Sequence, residues 1–258
     1  MEKKILYLLT CVGLCWSSCT NEVDEFIGNV EPSTRSVSTA LNANLASLFT
    51  GGAPTLTSAE IKEVNDAYAK MTSINCYRNI DEAVRNKTSY AGTIFLDDTY
   101  ASAYFRKGSL AFPPYGILAS SMEHEFIHMY QRDVQGKKVD TDKEKRDTGM
   151  MEFELAFYQG IIRYIHAGYS WTFKGEDGDP SYQSLWTSGL TDPSLIPQYE
   201  REFQTYVASI CANGKPTSID INEFVKWSNI FGEYSRGYSG KGYKFGNYDY
   251  GTSCINSL

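Results

Sequence analysis

Apolar residues recur at helical spacing along much of the chain. Leu41, Leu45, Leu48 and Phe49 make a first such set, with Ser38 as its N-cap and Gly51-Gly52 as its stop. A second helix opens at Ser58-Ala59-Glu60-Ile61 and runs to about Met71, with Ile61 and Val64 on one face. Two short apolar runs rich in β-formers follow, residues 92–96 and 109–112, and Pro113-Pro114 closes the second. The helical pattern returns from about Gly116 to Arg132, and after a charged linker a long helix is expected from about Arg146 to His166. Residues 195–212 and 220–232 read as two further helices. The tail from Tyr234 to Gly251 is rich in Gly and Tyr, and no fixed-period repeat is visible.

The first eighteen residues have a different character. Lys3-Lys4 is a positive start, and the apolar run from Ile5 to Leu14 is too short to span a bilayer as a stable helix. This is the pattern of a secretory signal. Trp16-Ser17-Ser18-Cys19 puts two small residues before a cysteine, as in a bacterial lipoprotein signal, so cleavage is expected to leave Cys19 as the lipid-bearing N-terminus; the simpler alternative is a plain secreted protein. The acidic stretch Thr20-Asn21-Glu22-Val23-Asp24-Glu25 resembles the surface-export tag of Bacteroides-group lipoproteins, which implies an outer-membrane protein facing outward. Acyl chains anchor through about 0.8 kcal/mol per buried methylene, so the lipid alone supplies the membrane attachment. The expected organisation is a signal peptide at 1–18, a lipidated acidic tether at 19–36, and one domain at 37–258.

Charge narrows the partners. Removing residues 1–18 takes away Lys3, Lys4 and Glu2 and leaves 22 basic against 30 acidic residues, which argues against nucleic acid. Besides Cys19, the processed chain holds Cys76, Cys211 and Cys254, an odd number at irregular spacing. That is neither a disulfide framework nor a thiolate metal site, although one bridge can form in an oxidising compartment.

The residues that carry chemistry are His124-Glu125-Phe126-Ile127-His128. On a helix the two histidines lie about 40° apart around the axis and one turn apart, so both imidazoles can grip one metal ion. Glu125 stands about 100° round from His124, where its carboxylate can reach a water beside the metal without binding the metal itself. Two hydrogen-bonded structural histidines are the plainer reading. Against it, Met122, Phe126 and Met129 fall on the opposite face and give the helix an apolar back to bury. Gln131 lies nearly in line with both histidines, as a partner for one of them or as a polar groove residue.

A third ligand must come from elsewhere, because the extended H-E-x-x-H-x-x-G-x-x-H pattern fails at Gln131 and Val134. Glu152 and Glu154 follow on the next long helix. Projection puts Glu154 in the centre of the arc that carries Met150, Phe157, Tyr158 and Ile161, whereas Glu152 shares its face with Ala156, Gln159 and Arg163. A carboxylate in mid-core needs a metal or a counter-charge, so Glu154 is the expected ligand, with a buried ion pair as its plainer reading and Glu152 as the alternative ligand.

Together, H-E-x-x-H-x-x-Q at 124–131 and E-x-E at 152–154 resemble the gluzincin group of zinc metallopeptidases, over about thirty-three residues of the chain. The resemblance implies an α+β zincin-like fold, mostly helical, with a small mixed sheet beside the active-site helix and an edge strand that binds substrate. It also implies a Zn2+ ion, Glu125 as general base, and a peptide or protein substrate. A scaffold that keeps the fold as a non-catalytic binding lipoprotein, with a structural metal, is the alternative. For the donor that stabilises the oxyanion, His166, Tyr130, Tyr158 and the tail tyrosines are candidates, and spacing singles out none of them. The run Gly175-Glu176-Asp177-Gly178-Asp179-Pro180 reads as a turn rather than a calcium loop.

Overall fold

A computed structural model describes residues 40–137, 145–166, 191–212, 216 and 219–235. The leader with Cys19, the tether, the acidic run at 175–180, Cys254 and nearly all of the Gly/Tyr tail lie outside the described residues.

Seven α-helices and three strands are described: α1 (Ala43–Leu48), α2 (Ser58–Ser73), α3 (Asn75–Lys87), β1 (Ile94–Leu96), β2 (Tyr104–Arg106), β3 (Ser109–Phe112), α4 (Ala119–Met129), α5 (Lys145–His166), α6 (Ile196–Ile210) and α7 (Ile221–Tyr234). The architecture is mostly helical with one small mixed sheet, as an α+β reading requires. No helix among the described residues is long and apolar enough to cross a membrane.

Local chemistry accounts for most of the boundaries. Thr57 and Glu60 form a reciprocal capping box at the start of α2. Asp220 accepts from the Asn222 and Glu223 amides and starts α7. In α1 the cap is Asn42, which accepts from the Asn44 N–H, so the helix starts later than a Ser38 cap would put it. One helix falls where none was expected: α3 follows α2 directly and buries Cys76, Tyr77, Ile80 and Val84, a set at helical spacing.

The sheet holds a second unexpected element. The two expected strands, β1 and β3, pair in parallel with Ile94 opposite Leu110, and β2 joins the far side of β3 antiparallel, in the order β1-β3-β2. Lys107 and Gly108 have φ of 52° and 78°, both left-handed, as a two-residue turn with the twist of the flanking strands requires. Close approach explains Gly92, where an added Cβ would fall 2.2 Å from the Gly108 carbonyl oxygen.

Within this frame α4 is buried almost all round. Met122, Phe126 and Met129 are fully buried, as the apolar back predicts, and Phe126 lies 6.1 Å from the Tyr68 ring of α2. Helices α2 and α3, strand β2 and helix α5 surround α4. On its other side α5 carries Phe153 and Phe157 into a cluster with Phe203 of α6 and Phe224 and Phe231 of α7. Both long helices are thereby fixed by apolar packing on the sides away from the histidines, which sets the relative position of the polar groups they share.

Candidate metal centre

The chain leaves α4 through one wider turn, Tyr130–Val134, closed by an i to i+5 bond from the Gln135 N–H to the Tyr130 carbonyl. Its side chains anchor it to the sheet. The Arg132 guanidinium donates to the Asp133 carboxylate at 2.8 and 2.6 Å and lies 4.4 Å from the centre of the Phe105 ring. The Tyr90 hydroxyl donates to the same carboxylate. This turn and β2 are the supports beside which the histidines sit.

His124 and His128 aim at one point. Their Nε2 atoms are 3.1 Å apart. Glu152 of α5 completes the group, with its carboxylate oxygens 3.2 Å from His128 Nε2 and 3.8 Å from His124 Nε2. One donor atom from each of the three lies within 4.8 Å of the others, the arrangement of residues that can hold a metal ion. Donors about 2.1 Å from a common centre at tetrahedral angles stand about 3.4 Å from one another, so these spacings suit a single small ion. His124 is nearly buried and Glu152 is 20% exposed, so the group opens to solvent on the α5 side.

The expected choice between the two glutamates is corrected here. Glu154 is fully buried, as its projection predicts, but it meets Gln131 Nε2 at 2.8 Å and the Lys137 ammonium rather than the histidines. The buried ion pair is its actual environment. Glu152 is the residue brought to the histidines; it is partly exposed, whereas Ala156 and Gln159 on the same face of α5 are buried. A carboxylate that binds metal in an open site need not be in the core, whereas one with a lysine close by can be.

Gln131 has the role of histidine partner. Its Oε1 lies 2.9 Å from His128 Nδ1, and its amide nitrogen donates to the Met151 carbonyl and to Glu154. Glu125 is buried, with one oxygen 3.9 Å from His124 Nε2, at the margin of the donor group rather than within it. Burial pushes its carboxyl up to about 8, while the nearby His128 and the Phe105 amide act in the opposite direction.

The two rings cannot both be charged at this distance. Burial and the neighbouring His128 push His124 down to about 4. Burial also acts to lower His128, but Glu152 outweighs it and holds His128 up to about 9. Without metal, Glu152 therefore favours a proton on His128, while burial and the second ring disfavour one on His124.

Of the oxyanion candidates, the tail tyrosines beyond residue 235 lie outside the described residues. His166 is exposed at the end of α5, and the Tyr158 hydroxyl accepts from Gln135. Cys76 and Cys211 are buried. Sequence reasoning missed β2 and Lys137. The Lys107-Gly108 dipeptide between two β-rich runs was a usable hairpin signal, but no local pattern marks Lys137 as the partner of a residue on the next helix. No family model, curated protein or solved structure matches the chain.

Proposed function

We propose that the chain is a zinc-dependent peptidase of gluzincin type, held at the outer face of the outer membrane by a lipid on Cys19. The observation that carries this reading is the convergence of His124, His128 and Glu152 on one point, with the Glu125 carboxyl at its edge. Two imidazoles, one carboxylate and no thiolate form a donor set that suits zinc and leaves a fourth position open. When bound, zinc supplies Lewis acidity and lowers the pKa of a coordinated water to about 7.

The protein's own groups supply the rest. His124, His128 and Glu152 hold the ion. Glu125 takes the proton of the attacking water and passes it to the departing amine nitrogen, and burial keeps its basicity in the useful range near neutrality. Strand β2 provides a docking edge. The Leu110 N–H bonds to Thr93 on the β1 side of the sheet, so Phe105, opposite Leu110, turns its C=O away from β3, and its N–H, on the same side, meets the Glu125 carboxyl. An extended peptide laid along that edge would run beside Glu125.

The test is zinc content and hydrolysis. Full-length protein purified without added metal should hold one zinc per chain and cleave a mixed peptide library, lose cleavage on chelation and regain it with zinc. Stoichiometric zinc without hydrolysis would favour the non-catalytic binding lipoprotein, and absence of zinc would sink both.

Metal binding should also depend on pH in a defined direction. Zinc must displace the proton that Glu152 holds on His128, and its charge also favours ionised Glu125. Affinity should therefore rise at least about tenfold per pH unit from pH 6.5 and flatten above about 9. Chelator competition across that range checks this, and a flat profile would contradict the proton on His128.

A further inference from the structure

Gln131, Glu154 and Lys137 form a buried chain behind His128. Gln131 and Glu154 are fully buried, and the Lys137 side chain is 11% exposed. The Gln131 amide has two chemically different ends, and its surroundings fix which way it points. One end faces two acceptors, the Glu154 carboxylate at 2.8 Å and the Met151 carbonyl at 2.9 Å, so it must be the NH2 end. The carbonyl end is left to face His128 Nδ1 at 2.9 Å.

A carbonyl oxygen can only accept, so His128 must keep its proton on Nδ1 when neutral, and the lone pair is left on Nε2. Nε2 is the atom that points at His124 and Glu152. An inverted Gln131 amide would present N–H to Nδ1, move the proton to Nε2 and remove a metal donor. We propose that Gln131 and Glu154 are positioning residues for the metal centre, with Glu154, paired to Lys137, fixing the amide of Gln131 together with the Met151 carbonyl and thereby the donor nitrogen of His128. This rests on the reading of His124, His128 and Glu152 as zinc ligands.

Lys137 places this chain of contacts at a chosen point of the fold. It closes the wide turn after α4, where its N–H donates to the Gln131 carbonyl while its ammonium meets Glu154 on α5. One residue thus holds both ends of the Gln131–Glu154 contact.

The experiment measures zinc affinity of the full chain by chelator competition, with thermal melting of the metal-free protein as the control for folding. Gln131→Met should lower affinity about 10–100-fold. Because that change leaves Glu154 without one of its donors, a second variant removes the ion pair as a unit. Lys137→Met with Glu154→Met replaces a buried pair by apolar groups, a change that is often neutral for stability, yet it removes one of the two acceptors that orient Gln131 and leaves only the Met151 carbonyl. It should lose affinity in the same direction and by more than about threefold, though less than Gln131→Met, because the Met151 carbonyl still accepts from Gln131. Glu154→Gln keeps an acceptor carbonyl for Gln131 and should bind zinc within about threefold of wild type. If Gln131→Met and the double variant bind zinc like wild type, whatever their melting temperatures, the positioning role is overturned while the ligand assignment stands. If wild type itself binds no zinc, both fall.

Discussion

Glu125→Gln should leave zinc bound and lower peptide hydrolysis by about 10²–10⁴-fold, the range that a positioned general base contributes. The substitution preserves shape and removes only the ability to take a proton. It should not cost the fold. Burial pushes the Glu125 carboxyl up to about 8, so the metal-free protein already carries it protonated at pH 7. An acid whose folded pKa is raised adds stability that is fully present below its unfolded pKa, near 4.5, and lost as pH rises through the folded value. Gln removes that loss, so the metal-free variant should melt no lower than wild type at pH 8. The informative result is the combination of zinc content, rate and melting curve. Hydrolysis within tenfold of wild type, with zinc bound, would remove Glu125 from the chemistry. Loss of zinc together with the rate would make Glu125 part of the metal-binding group instead.

Periodicity made the site helix and its apolar back legible, and it did so because both depend on neighbours within one or two turns. Met122, Phe126 and Met129 are buried where their spacing puts them, and the imidazoles one turn apart do share a focus. The long helix α5 was equally readable, as was the burial of Glu154 at the centre of its arc. What was not readable is which polar group that burial serves. Glu154 finds its counter-charge in Lys137, seventeen residues earlier, just after a wide turn that a uniform 3.6-residue projection does not contain. Glu152, only two residues away, looks into an opening whose position depends on how α4 and α5 cross. That crossing is set by Phe153 and Phe157 against α6 and α7 and by Phe126 against α2, all contacts distant in sequence. Strand β2 escaped for another reason. Tyr104–Arg106 is too short for an alternating pattern to stand out, and only its turn residues announced it.

Glu152→Ala carries the second large expectation: zinc affinity should fall by more than about 100-fold, beyond what an outer partner such as Gln131 contributes, and hydrolysis in metal-free buffer should vanish with it. The structure gives the reason on both sides of the binding equilibrium. With metal, the carboxylate would be one of three donors around a common point. Without metal, it is the charge that holds His128 up to about 9. A histidine whose folded pKa is raised gives stability that is fully present below its unfolded pKa, near 6.5, and lost as pH rises through the folded value. Removing Glu152 should therefore lower the melting temperature of the metal-free protein at pH 6 and leave it little changed at pH 10. It should also flatten the rise of metal affinity with pH, because burial and the neighbouring ring then leave His128 without its proton near neutrality. These signatures separate Glu152 from Glu154, whose conservative replacement by Gln is expected to keep both the ion and the pH dependence. Wild-type zinc affinity in Glu152→Ala would move the third ligand elsewhere and undo the assignment on which the peptidase reading is built.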